Sequence, residues 1–372
     1  MSPEYRGLTW DHPRGYDALA AAAEAAGDVA IRWDRHSLEG FESRSIAEQC
    51  ALYDLVVLDH PHVGEAVAAD CLVPLEALFA ADELAAWGAA AVGPSLASYL
   101  YAGRHWALPL DAATQVMACR ADFAEAPPTT WDAVIALAER APVALSLAGP
   151  HAALSFQSVC SALGAAPEQP RDRFVDRDIA RAAYGILAAL SGDATRAAAE
   201  LNPIAMLEAM ASGDGPLLCP LIYGYVNYAA RGAIRYADAP RGPEGRIGST
   251  LGGTGIAISR AATVTPQLLD HLCWLMSDAV QRGFIPAHNG QPSLRSAWAD
   301  PAVDAAAKGF YSGTRATIEA ASVRPRHNHA IAFQTEASLL LRTGLLNRTP
   351  PDPVLDAVEA AYSRHHTPGA ET

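Results

Sequence analysis

Three short stretches of this chain set carboxylates beside imidazoles. "TWDHPRG" carries Trp10, Asp11, His12 and Arg14; "RWDRH" carries Asp34, Arg35 and His36; "LDHPH" carries Asp59, His60 and His62. A carboxylate accepts hydrogen bonds, a guanidinium donates them, and a neutral imidazole does both. An indole adds a wide apolar face with a single N–H. Such a set can grip a small molecule bearing hydroxyls or a carboxylate, or it can move protons through a His–Asp pair with a tuned imidazole. His and Asp can also hold zinc or manganese, but no HExxH or comparable ligand spacing occurs. The expectation is therefore no metal and no cofactor. No GxSxG, Walker A loop or GxGxxG after a strand points to a reaction class, so no catalytic residue is assigned. The plainer reading is that Asp11 or Asp34 caps the following helix and the histidines are exposed.

These residues act together only if the elements bring them together. Each stretch ends a short apolar run, and helical segments such as "YDALAAAAEAAG" and "SRSIAEQCALY" separate the runs. Strand–helix alternation predicts parallel strands, whose carboxyl ends share the sheet edge where α/β proteins bind ligands. Further along, "ALPLDAATQVMACR" reads as a strand with a bend at Pro109, and "VALSLAG" as another. "PLIYGYVNY" reads as a strand followed by an aromatic segment. It supplies Tyr223, Tyr225, Asn227 and Tyr228 as stacking and hydrogen-bonding candidates, although Tyr223 and Tyr225 have strand spacing and one fits the core equally well. "TLGGTG" offers Gly252, Gly253 and Thr254, whose backbone either approaches a ligand or makes a simple turn. "VRPRHNHA" (Arg324, Arg326, His327, Asn328, His329) reads as a solvated loop before a helix, and Gln291 and Arg295 are ambiguous in the same way. A polar break falls around residues 168–178, and 366–372 read as a frayed tail.

Composition narrows the partners. The chain has 372 residues, half of them hydrophobic, and a formal net charge of −14, which argues against a nucleic-acid surface. Local arginines and histidines still allow an anionic ligand in a cleft. No apolar run reaches the length of a membrane span, so direct membrane insertion is not expected. Six scattered cysteines without a CxxC read as reduced core thiols. The first residues lack a basic start, apolar core and cleavage site. As it stands the sequence reads as cytoplasmic, and as periplasmic if a leader has been removed.

Four ordered segments resemble the bacterial extracellular solute-binding proteins of ABC importers, in particular family 1, the maltose and sugar-binding type. They are "YDLVVLDHPHVGEAVAADCLVPLEALF", "GRHWALPLDAATQVMACRADFAEAPPTTWDAVIALA", "LGGTGIAISR" and "NGQPSLRSAW". The resemblance implies an α/β, two-lobed, periplasmic-binding-protein-like fold of type II, with hinge strands and an interlobe cleft. The strand–helix organisation along the chain places lobes at 1–112 and 113–262, with a mostly helical segment, 263–372, returning to the first. The resemblance further implies a small-molecule ligand and delivery to an ABC permease, and the His, Arg and Tyr content of the candidate cleft points to a ligand that is sugar-like or carboxylated. The expected ligand contacts are Trp10, Asp11, His12, Arg14, Arg35, His36, Asp59, His60, Tyr223, Tyr225, Gly253 and Thr254. The alternatives left open are a cytoplasmic enzyme on the same scaffold, with cleft His and Asp as acid–base groups, and a cytoplasmic metabolite sensor.

Overall fold

The computed structural model describes residues 4–165 and 173–366; the start of the expected polar break and most of the expected tail lie outside them. Nine strands form among the described residues. They are β1 (Glu4–Trp10), β2 (Ala30–His36), β3 (Leu55–Leu58), β4 (Leu100–Tyr101), β5 (Arg104–His105), β6 (Leu108–Arg120), β7 (Leu218–Tyr223), β8 (Ile234–Ala237) and β9 (Leu251–Ile258). β4 and β5 make a small separate hairpin; the other seven form one sheet.

The first half of that sheet runs β2-β1-β3-β9-β6. β1, β2 and β3 are parallel, as strand–helix alternation predicts. Parallel strands are covered on both faces, which is why "LVVL" of β3 is apolar throughout and fully buried. Helix Pro13–Ala25 connects β1 to β2. His12 caps it through Nδ1, which accepts from Arg14 N, and Pro13 sits where a missing N–H costs nothing.

β6 ties the halves together. Its Leu108–Thr114 part pairs with β9, and from Gln115 onward it pairs with β7 and β8. The expected lobe boundary at 112–113 thus falls inside this single strand. β9, which the same boundaries assign to the second unit, pairs in the first half with β3 and β6, so the chain crosses more than once. Residues 143–147 of "VALSLAG" are buried, but the stretch makes only a single parallel bridge to β7, at Val143.

The C-terminal segment divides instead of returning whole to the first half. The short helix Ile285–Ala287 packs beside helix Pro13–Ala25, whereas helices Ala330–Leu346 and Pro351–His365 pack on each other and on helices His151–Ala162 and Arg177–Ala189. The apolar stripe Phe333, Ala337, Leu341 and Leu345 explains this, because its four-residue spacing lays one face onto the second core.

Candidate functional site

β1, β2 and β3 end at one edge, but the three Asp–His segments do not arrive there alike. β2 runs on through Asp34, Arg35 and His36, so these alternate across the strand. Asp34 bonds Arg6 and Tyr53 away from the edge. Arg35 pairs with Asp11 at 2.9 Å, with both side chains at least half exposed. Asp11 and Arg35 therefore leave the buried group: a two-residue period sends Arg35 to the opposite face from His36.

The others converge. Trp10 is buried and stacks on the His12 ring, 5.2 Å between centroids at 7°, and Tyr225 sits edge-on to both. Arg14 lies 4.6 Å from the Tyr225 ring centroid. It makes a two-pronged ion pair with Asp111 of β6, 2.5 and 2.6 Å, and donates to the Gly224 carbonyl at the end of β7. His36 stands beside Trp10 across the β1–β2 register. On the third edge, Asp59 accepts from its neighbour's backbone and pairs through both carboxylate oxygens with Arg324. Arg324 also donates to the Leu251 carbonyl and, through its backbone N–H, to His60 Nε2.

Arg324 is thus a correction to the solvated-loop reading: it is 4% exposed, and His327 is buried as well. Their segment follows a strand-like bridge from Thr250 to Ser322 and crosses between the two sheet halves. Gly64 admits the crossing, since a Cβ there would sit 1.8 Å from the Arg326 carbonyl oxygen. Gly64→Ala is expected to cost about 1–3 kcal/mol through overpacking against backbone that cannot rotate away, read by urea unfolding. An unchanged midpoint would mean the crossing segment is loosely held.

Sequence reasoning missed His151, Glu42 and Asp111. His151 opens helix His151–Ala162, with its ring 5.8 Å from Tyr223 and its Nε2 3.5 Å from Glu42 Oε1. The signal available for Asp111 was a lone acid in a strand otherwise apolar or neutral up to Arg120. Gly253 and Thr254 lie inside β9, opposite Ala112 and Asp111, and so make no loop. Gly253 has φ +91°, and an added Cβ would meet the Asp111 carbonyl at 2.4 Å. The glycine accommodates the β6 bulge between Pro109 and Asp111, while the Thr254 N–H supports the Asp111 carboxylate. Gln291 is a brace, bonding Ala112 O and Val226 N, and Arg295 pairs with Glu319 at the surface.

The electrostatics separate the two ion pairs from the imidazoles. Burial pushes Asp59 up, but Arg324 and His60 outweigh it and hold the carboxyl well below its usual range. Burial also works against the Arg14 and Arg324 charges, and the Asp111 and Asp59 carboxylates hold both guanidiniums charged. The imidazoles go the other way. Burial, then Arg14 and Arg231, takes His12 down to about 3. Burial, with neighbouring Arg44 and His62, takes His36 to about 4. Burial and Arg324 take His60 to about 4 against the pull of Asp59. Burial and the nearby His366, His329 and His365 take His327 to about 4. At neutral pH Arg14 and Arg324 stay paired, and the His12, His36, His60 and His327 rings are uncharged.

Several of those rings are unsatisfied. Trp10 Nε1, both nitrogens of His36, both of His151 and Nε2 of His327 are buried without a hydrogen bond. A recess of about 550 Å³ shares Thr250, Arg324 and His327 with this group and extends to Tyr101, Phe156 and Tyr362.

The family model described as bacterial extracellular solute-binding protein matches residues 18–310. No curated protein matches. Among solved structures, maltose-bound MalE3 of T. maritima is similar over 98% of this chain and 100% of its own, at 16% identity and TM-score 0.79. The cyclic α-maltosyl-1,6-maltose binding protein of Arthrobacter globiformis is similar over 99% and 100%, at 18% identity and TM-score 0.77. An ABC transporter solute-binding protein of Agrobacterium radiobacter K84 in complex with ribitol is similar over 98% of each chain, at 18% identity and TM-score 0.74. At these identities the likeness establishes the two-lobed α/β fold.

Proposed function

The chain belongs to the family of bacterial extracellular solute-binding proteins, and we propose that it captures a small, uncharged, polyhydroxylated solute between its two lobes. The observation that carries this reading is the set of buried ring nitrogens without a hydrogen bond at Trp10 and His36, beside the His151 ring that faces Glu42 at 3.5 Å. A buried polar atom without a partner costs about 1–3 kcal/mol, and a hydroxyl-rich ligand would relieve several at once. Neutral imidazoles suit hydroxyls because they donate at one nitrogen and accept at the other. The charged groups are already committed, Arg14 to Asp111 and Arg324 to Asp59, which leaves little to offset the burial of a ligand carboxylate. The polyol therefore fits better than the sugar acid. The solutes named for the similar structures, maltose and ribitol, are of this class.

In this reading Trp10, His12, Arg14, His36, Asp59 and His60 form the first-lobe wall, with His151, Tyr223, Tyr225 and Arg324 opposite. Gly253 and Thr254 set the hinge strands. Closure about β6 and β9 would bury the solute, and the loaded form would be presented to an ABC permease outside the cytoplasmic membrane. No helix among the described residues is long and apolar enough to cross a membrane. Family membership favours capture over the acid–base catalysis that a His–Asp pair also allows.

The test is a thermal-shift and calorimetric screen of neutral sugars, polyols and the matching sugar acids. A neutral member should raise the melting temperature, by the equivalent of about 2.7 kcal/mol at a hundred times its Kd. His151→Ala should weaken that ligand by about tenfold or more, the loss of one buried hydrogen bond. Stabilisation by the acids alone overturns the uncharged-solute reading, and unchanged affinity in His151→Ala removes His151 from the wall.

A further inference from the structure

The six cysteines are free thiols, yet two of them are not independent. Cys50 ends the short helix Ile46–Cys50 and is 2% exposed; Cys71 follows helix Val63–Ala68 and is partly exposed. Two consecutive residues beyond β9 clasp both backbones. Ser259 Oγ donates to the Cys50 carbonyl at 2.7 Å, and Arg260 N donates to the Cys71 carbonyl at 2.9 Å. The side chains share one apolar cluster with Ile46, Val56, Ala66 and Leu72.

The hydrogen bond between the two thiols pushes Cys50 up, with burial adding to it, and brings Cys71 down. Burial raises the other four, Cys119, Cys160, Cys219 and Cys273. Cys71 is partly exposed and Cys50 is buried in the same cluster, so an oxidant from solvent reaches Cys71 first. That is the arrangement of an attacking and a resolving thiol.

We propose that Cys50 and Cys71 are a redox pair that closes into a disulfide when the folded chain meets a disulfide oxidant. The Cys71 thiolate attacks one sulfur of the oxidant, that S–S bond breaks, and half of the oxidant leaves as a thiolate. Cys50 then attacks the mixed disulfide at the Cys71 sulfur. Its proton goes to the second departing thiolate. The two protein thiols are oxidised to one disulfide, and one oxidant disulfide is reduced to two thiols. The closed loop contains β3 and the Asp59–His62 turn, so the bond would brace the third edge of the candidate site.

The experiment equilibrates the folded, full-length protein with oxidised glutathione, quenches in acid, unfolds it and alkylates. Alkylatable thiols should fall from six to about four, with an intact mass about 2 Da lower before alkylation. Peptide mapping should join residues 50 and 71. Cys50→Ser should stop at a glutathione adduct on Cys71, because the resolving thiol is gone. Cys71→Ser should show neither that cross-link nor an adduct on the buried Cys50. The proposal is overturned if all six thiols remain alkylatable, if the cross-link joins another pair, or if Cys50→Ser carries no adduct at Cys71.

Discussion

Asp111→Ala is expected to lower the free energy of unfolding by about 3–5 kcal/mol, a large fraction of what a folded domain has in reserve. The cause is the charge left behind more than the contact removed. Asp111 and Arg14 are both about 95% buried, and the Arg14 guanidinium that Asp111 neutralises also donates to the Gly224 carbonyl and faces the Tyr225 ring. Without the carboxylate, Arg14 would have to stay charged in an apolar setting or drag the start of helix Pro13–Ala25 outward. Asp111→Asn keeps the volume and should still be costly, because an amide cannot balance the charge. The double replacement Arg14→Met with Asp111→Leu should recover most of the loss, since a buried ion pair exchanged for packed apolar groups is often neutral. Urea unfolding of the four proteins separates these cases. A loss below about 1 kcal/mol in Asp111→Ala would show that the pair is solvated. Because Arg14 reaches from the first strand edge to the end of β7, the same variant should also blunt any solute-induced thermal shift.

The fold was legible because its signals are periodic and local. The run "LVVL" and the alanine-rich helices each act within a few residues, although the first helix is capped by His12 and not by Asp11, and Asp34 lies inside β2. The ordered segments from "YDLVVLD" to "NGQPSLRS" added the long-range arrangement that periodicity lacks. What stayed hidden depends on pairings far apart in the chain. Asp59 meets Arg324 across more than half the sequence, and nothing in "VRPRHNHA" distinguishes a buried cation from a solvated one. Glu42 and His151 lie far apart in the chain and meet only in the folded structure. Asp11 and Arg35 were misplaced for a smaller reason, as β2 continues two residues past Asp34 and its alternation carries Arg35 to the solvent side. "LGGTG" resembles a ligand-cradling loop, and the structure uses its flexibility for a bulge in the hinge strands. Sequence pattern thus places the edge of the sheet well, but which side chains on that edge are spent on one another depends on tertiary geometry.

Acid should unfold this protein unusually early. His12, His36, His60 and His327 are held near 3–4 by burial and neighbouring positive charge, whereas the unfolded chain titrates them near 6.5. Above about pH 6.5 both states are neutral at these rings and nothing is lost. As pH falls below that value, the unfolded chain takes up protons that the folded chain refuses. Stability therefore declines from about 6.5 downward, and the decline ends only when the folded pKa values of 3–4 are passed. His60, fully buried, contributes a slope of about 1.4 kcal/mol per pH unit within the window; the less deeply buried rings contribute less, because water screens them. Asp59 extends the fall, since its folded pKa lies below the unfolded value and its ion pair with Arg324 is lost at still lower pH. Urea unfolding at half-unit steps from pH 7.5 to 4.5 should give a midpoint that is level at first and then drops steeply. His60→Gln should flatten the drop by its own share while leaving the plateau above pH 6.5. A midpoint unchanged from pH 7 to 4.5 would mean that the folded rings titrate as freely as the unfolded ones, and the uncharged character on which solute recognition rests would fall with it.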